Sequence, residues 1–503
     1  MRMAHPARES ESDYFYPARQ SFDAMVDWAR KTGPTDHSKV ECALEEQGRE
    51  LLRLLYQGWF DKVAAAERRE AAKSAPAPEG TRVSARGRQL ESMLGRVHPV
   101  RLEYRRTGEK KGSLPLDARL NLPATLYSHP LQKRVATEAQ ARAWDGVVKQ
   151  VDETTNAHVP KRQAQEIARD AAKDFDAFYA QRPVNDSLGE NTLLTGSSDA
   201  KGMRMLPKAL REATRELAEA EQAAAVRGDP MAPKKLRSHD KRMAAVGAVW
   251  EQEPVQRTVD DIIAEVQRTP TSKAERPRLP SPKNKRVWAS VVNGVAASVR
   301  EMFDEFDRRD PKRTRTPVVL IDGEQSQQTT ILDHARSRRR SLTIVLDLIH
   351  VIHYVWLAGF ALSRRKESVA AAWVVTHLRL LLSAGPTALI AATERAKVEQ
   401  TLTTSARKQV DRALAYFRRN DTFMNYPAFL AAGLPIATGV IEGACRHLVQ
   451  DRMGITGARW DLPGAEAILK LRALHSSGDW DDYWHFHQQQ EALRNYPKMP
   501  AAT

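Results

Sequence analysis

Apolar residues recur along this chain in two rhythms, and the change of rhythm divides it. From residue 40 to 69 the spacing predicts a helix with Leu51, Leu52, Leu55 and Trp59 on one face. Residues 135–151, striped by Ala139, Trp144, Val147, Val148 and Val151, predict a second helix. A third starts at Pro160 and runs to Tyr179, with Ile167, Ala171, Phe175 and Phe178 inward. Elsewhere in this part the pattern is weak. The first forty or so residues are polar and mixed and predict loose order. Residues 72–88, rich in Pro, Ala and Gly, read as a linker. A short β segment over 94–104 would find its partner strand in or just before 114–122.

Beyond residue 190 the rhythm shortens. Residues 191–205 and 242–250 read as two strands, and 285–292 offers a third. An amphipathic helix over 291–306 leads to two β-branched runs, Val318–Ile321 and 342–346, with a basic helix over 328–340 between them. After Trp356 only helical spacing remains: 368–382, 389–400 and 406–418 read as a helical insertion of about 70 residues. Gly433 to Thr438 closes it. Thr438 would cap a helix over 439–453, and a last helix over 464–475 precedes an aromatic tail of Trp480, Tyr483 and Trp484.

The order β-β-β-α-β-α-β-α is that of an RNase H-like core. The expected fold class is therefore α/β, α+β over the whole chain, with a helical insertion and a mainly helical N-terminal region. The expected boundaries are a helical region over 1–72 and a linker with a small hairpin over 73–134. A helix-turn-helix-like region follows over 135–185, then the core over 186–362, the insertion over 363–432 and the core's completion over 433–503.

Composition adds a partner. The chain has 503 residues, a net charge of +15 and a pI near 9.7, and its bases cluster at 234–237, 283–286, 308–315, 336–340 and 364–366. Such a balance points to a polyanion, with double-stranded DNA first and an anionic membrane surface second. Lys161 and Arg162 fall in the first turn of the third helix, where a recognition helix presents side chains to DNA. Only Cys42 and Cys445 are present, which excludes a disulfide framework or a four-cysteine zinc site and fits a reducing cytoplasm. The first ten residues are too polar for a signal peptide. Residues 342–362 are apolar enough to resemble a membrane span. They carry Asp347, His350 and His353 near the middle, so a buried strand followed by a buried helix is the better reading.

The candidate chemistry sits at strand ends. Val318–Ile321 ends on Asp322, and 342–346 ends on Asp347, which opens an Asp-x-x-His-x-x-His run through His350 and His353. Asp199 lies on the first strand, and Glu442 falls in the first turn of the helix after the insertion. Phosphodiester cleavage and strand transfer need an activated oxygen nucleophile and a stabilised leaving oxygen. Two Mg²⁺ ions do both, and such hard cations take carboxylate oxygens. Three acids suffice, which leaves His350 to position or pack against Asp347.

The motifs that carry these acids resemble bacterial insertion-sequence transposases of the ISKra type, which use an Asp-Asp-Glu site. The resemblance rests on Asp-Ala-Lys-Gly from Asp199, KRMAAVGAVW over 241–250, KRVWAS over 285–290 and VLIDG over 319–323. It continues in IVLDLIHVIHYVW over 344–356, and its longest motif is IATGVIEGACRHLVQDRMGITGARW over 436–460. It implies cleavage at element ends and joining to target DNA, using two Mg²⁺ ions for which Mn²⁺ could substitute. By motif Asp199, Asp322 and Glu442 become the catalytic, metal-holding acids, with Asp347 and His350 in support. A competing assignment makes Asp347 the second acid. Arg446, Arg452 and Arg459 could hold phosphates, Trp460 could stack on an unpaired base, and a homodimer or higher oligomer on DNA is possible. Two departures stand out. Ala200 replaces the family's glycine after the first acid, and RRTGEKKG over 105–112 stands where many members carry a cysteine pair. They motivate the alternative of a catalytically decayed or domesticated DNA-binding protein; a plain RNase H-like nuclease is a third option.

Overall fold

The short apolar runs between residues 193 and 346 pair into one five-stranded sheet in the computed structural model, which describes residues 13–183, 189, 191–227, 240–267, 281–364, 366–437, 439–455 and 457–497. In chain order the strands are β1 (Leu193–Arg204), β2 (Lys241–Gln252), β3 (Lys283–Ser290), β4 (Val318–Ile321) and β5 (Thr343–Leu346). Their spatial order is β3-β2-β1-β4-β5. The first three form an antiparallel meander, while β4 runs parallel to β1 and β5 parallel to β4. The C-terminal ends of β1, β4 and β5 therefore share one edge. All four residues of β4 are buried, as expected of a parallel strand covered on both faces.

The helices of this unit are α1 (Glu212–Val226), α2 (Val259–Gln267), α3 (Val295–Arg309), α4 (Gln325–Ser337) and α5 (Leu348–Leu362). The insertion follows as α6 (Glu367–Ala384), α7 (Pro386–Glu399), α8 (Thr404–Asn420) and the short α9 (Tyr426–Ala431). Then come α10 (Gly439–Ala444) and α11 (Leu462–Ser477). Helix α3 lies close on β1 because residue 196 has no side chain: a Cβ there would stand 2.6 Å from Phe306 and 2.8 Å from Met302 Sδ. Helix α4 begins three residues before its expected start. The Glu324 carboxylate accepts the Gln327 N–H at 2.7 Å, an N-cap that the apolar spacing does not register. Within the insertion, α8 packs along α5. Among the described residues no helix is long and apolar enough to cross a membrane.

The described residues fall into two compact units, one from Met1–Ala180 with Asp481–Thr503 and the other Gln181–Trp480. The segments read separately as helical region, hairpin and helix-turn-helix belong to the first unit. Five expectations within it are corrected. Residues 16–31 form a helix, Tyr16–Lys31, packed on the long helix His37–Lys73. Half of the supposed linker is a strand, Thr81–Gly87, and it is this strand that pairs with Val100–Arg106; 114–122 holds the short helix Pro115–Arg119 instead. The expected helix over 135–151 breaks at Arg142 and Ala143, whose backbones are extended, into His129–Ala141 and Trp144–Thr154. The next is likewise divided, into Lys161–Ala171 and Phe175–Gln181. Across the first break the apolar stripe steps five residues, from Ala139 to Trp144, where a continuous helix would step three or four, and the pattern shows no other sign of it.

The aromatic tail is a helix, Trp480–Asn495, that returns to the smaller unit. Tyr483 and His487 are buried there. The Tyr483 hydroxyl donates to the Ala171 carbonyl at 2.5 Å, and His487 Nδ1 stands 2.7 Å from Asp174, which Arg494 also grips at 2.6 Å.

The larger unit is held by a buried charge network on α3. Glu305 is 1% exposed and accepts from Arg286, Arg308 and Arg309 at 2.7–2.8 Å. Burial alone would raise its pKa, but the guanidiniums outweigh burial and bring it to about 2. Removing one member leaves buried charge uncompensated, so Glu305→Ala is expected to lower unfolding stability by about 3–5 kcal/mol. Because the folded pKa is depressed, this stabilisation is present above the ordinary value of 4.5 and lost as pH falls toward about 2. Denaturant titrations of both proteins across that range should converge at the acid end.

Candidate active site

Four acids arrive at one edge of the sheet by different routes. Asp199 lies within β1, opposite Val246 of β2. Asp322 follows the last residue of β4, Asp347 follows the last residue of β5, and Glu442 lies in the first turn of α10. All four line one cavity of about 260 Å³, together with His350 and an apolar wall of Ile321, Ile349 and Ile441. Residues as far apart in sequence as 199 and 442 are thus brought together.

Their surroundings differ. Asp199 is half-buried; one oxygen accepts the Ala200 N–H at 2.6 Å and the other accepts the Cys445 thiol at 3.3 Å. Burial, helped by the Asp199 carboxylate, pushes the Cys445 pKa up, so the thiol stays protonated and serves as donor, not nucleophile. Asp322, also half-buried, accepts the Glu324 N–H at 2.8 Å. Its pKa is raised, first by burial and then by the negative charge of Asp199. Asp347 is only 2% exposed and caps α5 by accepting the Ile349 N–H at 2.7 Å. His350 Nδ1 stands 3.7 Å from the other Asp347 oxygen, an ion-pair contact longer than an ordinary hydrogen bond. The Asp347 carboxylate raises the His350 pKa against the opposing effect of burial. Glu442 is exposed. Ala200, the residue in place of glycine, has an ordinary strand backbone and does not need positive φ.

Two tyrosines that the sequence reading did not single out hold the acid-bearing turns. Tyr416 of α8 donates its hydroxyl to the Asp322 carbonyl at 2.9 Å and stacks on Tyr354 of α5, with centroids 3.7 Å apart. Gly323 has φ +92°, and a Cβ there would meet the Tyr416 hydroxyl at 2.8 Å. Tyr426, fully buried in α9, donates to the Leu346 carbonyl at 2.7 Å, one residue before Asp347. The insertion is therefore the mould for both strand ends. A phenol within an otherwise apolar helical stripe was the available signal, since a buried tyrosine needs a partner for its hydroxyl. His353, which falls within the helix expected to be buried, is exposed.

The Glu442 helix covers the expected span 439–453 but changes pitch. It is α over Gly439–Ala444, π over Cys445–Gln450 and α again over Asp451–Met453. Arg472 of α11 donates to the Leu448 carbonyl at 3.1 Å and to that of His447, taking up acceptors in the widened segment. Thr438, the expected cap, lies outside the described residues, as does the basic cluster at 234–237.

The candidate DNA contacts divide by burial. Arg446 and Arg459 are exposed, and Arg446 lies 3.5 Å from Asp451. Lys161 and Arg162 are also exposed, in the first turn of their helix, paired with Asp145 and Glu166. Arg452 and Trp460 are corrected. At 2% and 5% exposure neither reaches the surface, and the guanidinium lies over the indole at 4.7 Å. Burial, with Arg472 nearby, lowers the Arg452 pKa to about 10. Trp460 donates its indole N–H to the Met453 carbonyl at 3.2 Å, and its own carbonyl accepts the Leu206 N–H at 2.7 Å. This pair ties the end of the Glu442 segment to the end of the Asp199 strand.

The donor set suits hard divalent cations: every acid offers carboxylate oxygens, and a cation would offset the Asp199 charge that, after burial, raises the pKa of Asp322. Among the described residues no group of three or more acid, histidine or cysteine side chains is placed to hold a metal ion. No family model matches the chain, and no curated protein matches it as a relative.

Two measurements test this geometry. Gly323→Ala forces both the left-handed turn and the Tyr416 contact, and is expected to cost about 1–3 kcal/mol in unfolding free energy. Tyr416→Phe should cost about 1 kcal/mol. In an NMR titration His350 should stay protonated above its ordinary 6.5, and Asp347→Asn should bring it down. Since the folded pKa is raised, the stability this contact contributes is full below 6.5 and lost as pH rises through the folded value.

Proposed function

We propose that the chain is a DNA transposase of an insertion sequence, cutting phosphodiester bonds at element ends and joining those ends to target DNA. One observation carries the reading: Asp199, Asp322 and Glu442, picked out by motif, line a single cavity at the C-terminal edge of parallel strands. The strand order β3-β2-β1-β4-β5, with an antiparallel meander and two parallel additions, supports an RNase H-like reading of the larger unit. The net charge of +15 supports DNA as partner.

Asp199, Asp322 and Glu442 hold the cations in this reading. Two Mg²⁺ ions, replaceable by Mn²⁺, would supply Lewis-acid activation of the attacking oxygen and neutralise charge on the leaving oxygen. Asp322 is favoured as second acid because β4 adjoins β1, whereas Asp347 lies one strand further out, is buried and is engaged in capping α5. Asp347 then fixes His350, which faces the same cavity. The isoleucine wall limits water on one side of the reacting phosphate. Arg446 and Arg459, exposed beyond Glu442, are the side chains of that segment able to meet backbone phosphates. The decayed-copy alternative loses one motive, since Ala200 sits unstrained in a strand.

Linear DNA carrying the element ends, incubated with Mg²⁺ or Mn²⁺, should be cleaved and joined. Asp199→Ala, Asp322→Ala and Glu442→Ala should each lower the rate at least about a hundredfold with DNA binding retained. Undiminished activity in Asp322→Ala sinks the assignment, and loss in Asp347→Ala alone transfers the second role to Asp347.

A further inference from the structure

Three of the four apolar residues that spacing put on one face of the long helix His37–Lys73 stay exposed. That helix buries Gly58, Phe60, Ala64 and Glu67, with Phe60 packed among Leu90, Val97 and Leu122. Leu52, Leu55 and Trp59 lie on another face and are 48%, 40% and 39% exposed. They belong to a longer seam, Glu41, Glu45, Gly48, Leu52, Leu55, Trp59, Lys62 and Ala66, whose steps alternate four and three residues. Seven of these positions are exposed and Gly48 is half-buried. A repeat of 3.5 is the one by which a helix offers a continuous seam to another helix, and this one runs roughly 37 Å at 1.5 Å per residue.

The seam is complementary to its own reverse at its middle and its two ends, and Glu45, which falls beside Trp59, is paired with Arg49 on its own helix at 2.6 Å. About a centre at Leu52, Glu41 answers Lys62, Glu45 answers Trp59, and Gly48 answers Leu55. Nothing lies within 4 Å of where a Cβ of residue 48 would stand, so the space above it is open to a leucine. Laid antiparallel across a twofold axis, two such helices set Leu52 against Leu52 at the middle and a Glu41–Lys62 pair at each end. A parallel alignment sets Glu41 on Glu41 and Lys62 on Lys62, and leaves the gap at Gly48 unfilled.

We propose that a second copy of this chain docks antiparallel along the outward seam of His37–Lys73, making a twofold dimer. The inference is independent of the reaction assigned above, because no residue of the seam belongs to the cavity of acids.

Light scattering and sedimentation of the full chain should give a particle of twice 56.5 kDa. Leu52→Glu should raise the dissociation constant at least about thirtyfold with helix content unchanged, since position 52 is exposed in the single copy. Lys62→Glu should weaken the dimer, and adding Glu41→Lys should restore it, which a folding defect would not do. In a Cys42→Ser background, Cys42 being exposed, the double variant Glu41→Cys/Lys62→Cys should cross-link on oxidation and Glu41→Cys alone should not. A monomeric wild-type chain, a dimer surviving Leu52→Glu, failure of the charge swap to restore association, or self-cross-linking of Glu41→Cys would each overturn the proposal.

Discussion

Like charges at close quarters oppose folding, and the larger unit gathers Asp199, Asp322, Asp347 and Glu442 about one small cavity. Some of that repulsion is met by protons and donors: His350 beside Asp347, the Cys445 thiol on Asp199, and backbone N–H groups on three of the acids. Asp322 keeps part of it: burial first raises its pKa, and the Asp199 charge raises it further. A site in this state is predisposed to accept positive charge, and the isoleucines on its wall strengthen any such attraction by excluding water.

Acids held against their own repulsion need rigid mounts, and these come from outside the sheet. The hydroxyls of Tyr416 and Tyr426 grip main-chain carbonyls at the ends of β4 and β5. Because both reach backbone and not carboxylate, they set the position of the acids without occupying their oxygens. Arg472 does the corresponding work for the widened turn behind Glu442, and Trp460 with Arg452 anchors the chain after it. The interior of the larger unit tolerates Glu305 on the same principle, with three guanidiniums about one carboxylate.

The strands and helices of the larger unit were legible because apolar runs of four to twelve residues are bounded by polar turns. Val318–Ile321 was read with its observed bounds, and the insertion's three long helices were read within a few residues. The cavity was legible only through motif, since periodicity cannot tell which distant acids converge. The smaller unit was poorly legible for definable reasons. Thr81–Gly87 carries two arginines among mostly small residues and little apolar signal, and the break at Arg142 shows in the stripe only as a step of five residues. The stripe through Leu52, Leu55 and Trp59 was legible as a pattern but silent on direction, since an apolar face bound for a core and one bound for another helix look alike in sequence. Burial separated Arg452 and Trp460 from Arg446 and Arg459, which a string of residues cannot do.

The return of Trp480–Asn495 to the smaller unit has a consequence for biosynthesis. A chain emerging from the ribosome presents residues up to 180 first, yet that unit lacks Tyr483 and His487 until three hundred further residues have been made. Asp174 waits throughout for two of its partners, His487 and Arg494. The larger unit, contiguous in sequence, can close while the smaller one is still unfinished. Maturation of the smaller unit is thus timed by a segment translated some three hundred residues after the rest of it, and a chain stopped before that segment leaves Asp174 without His487 and Arg494.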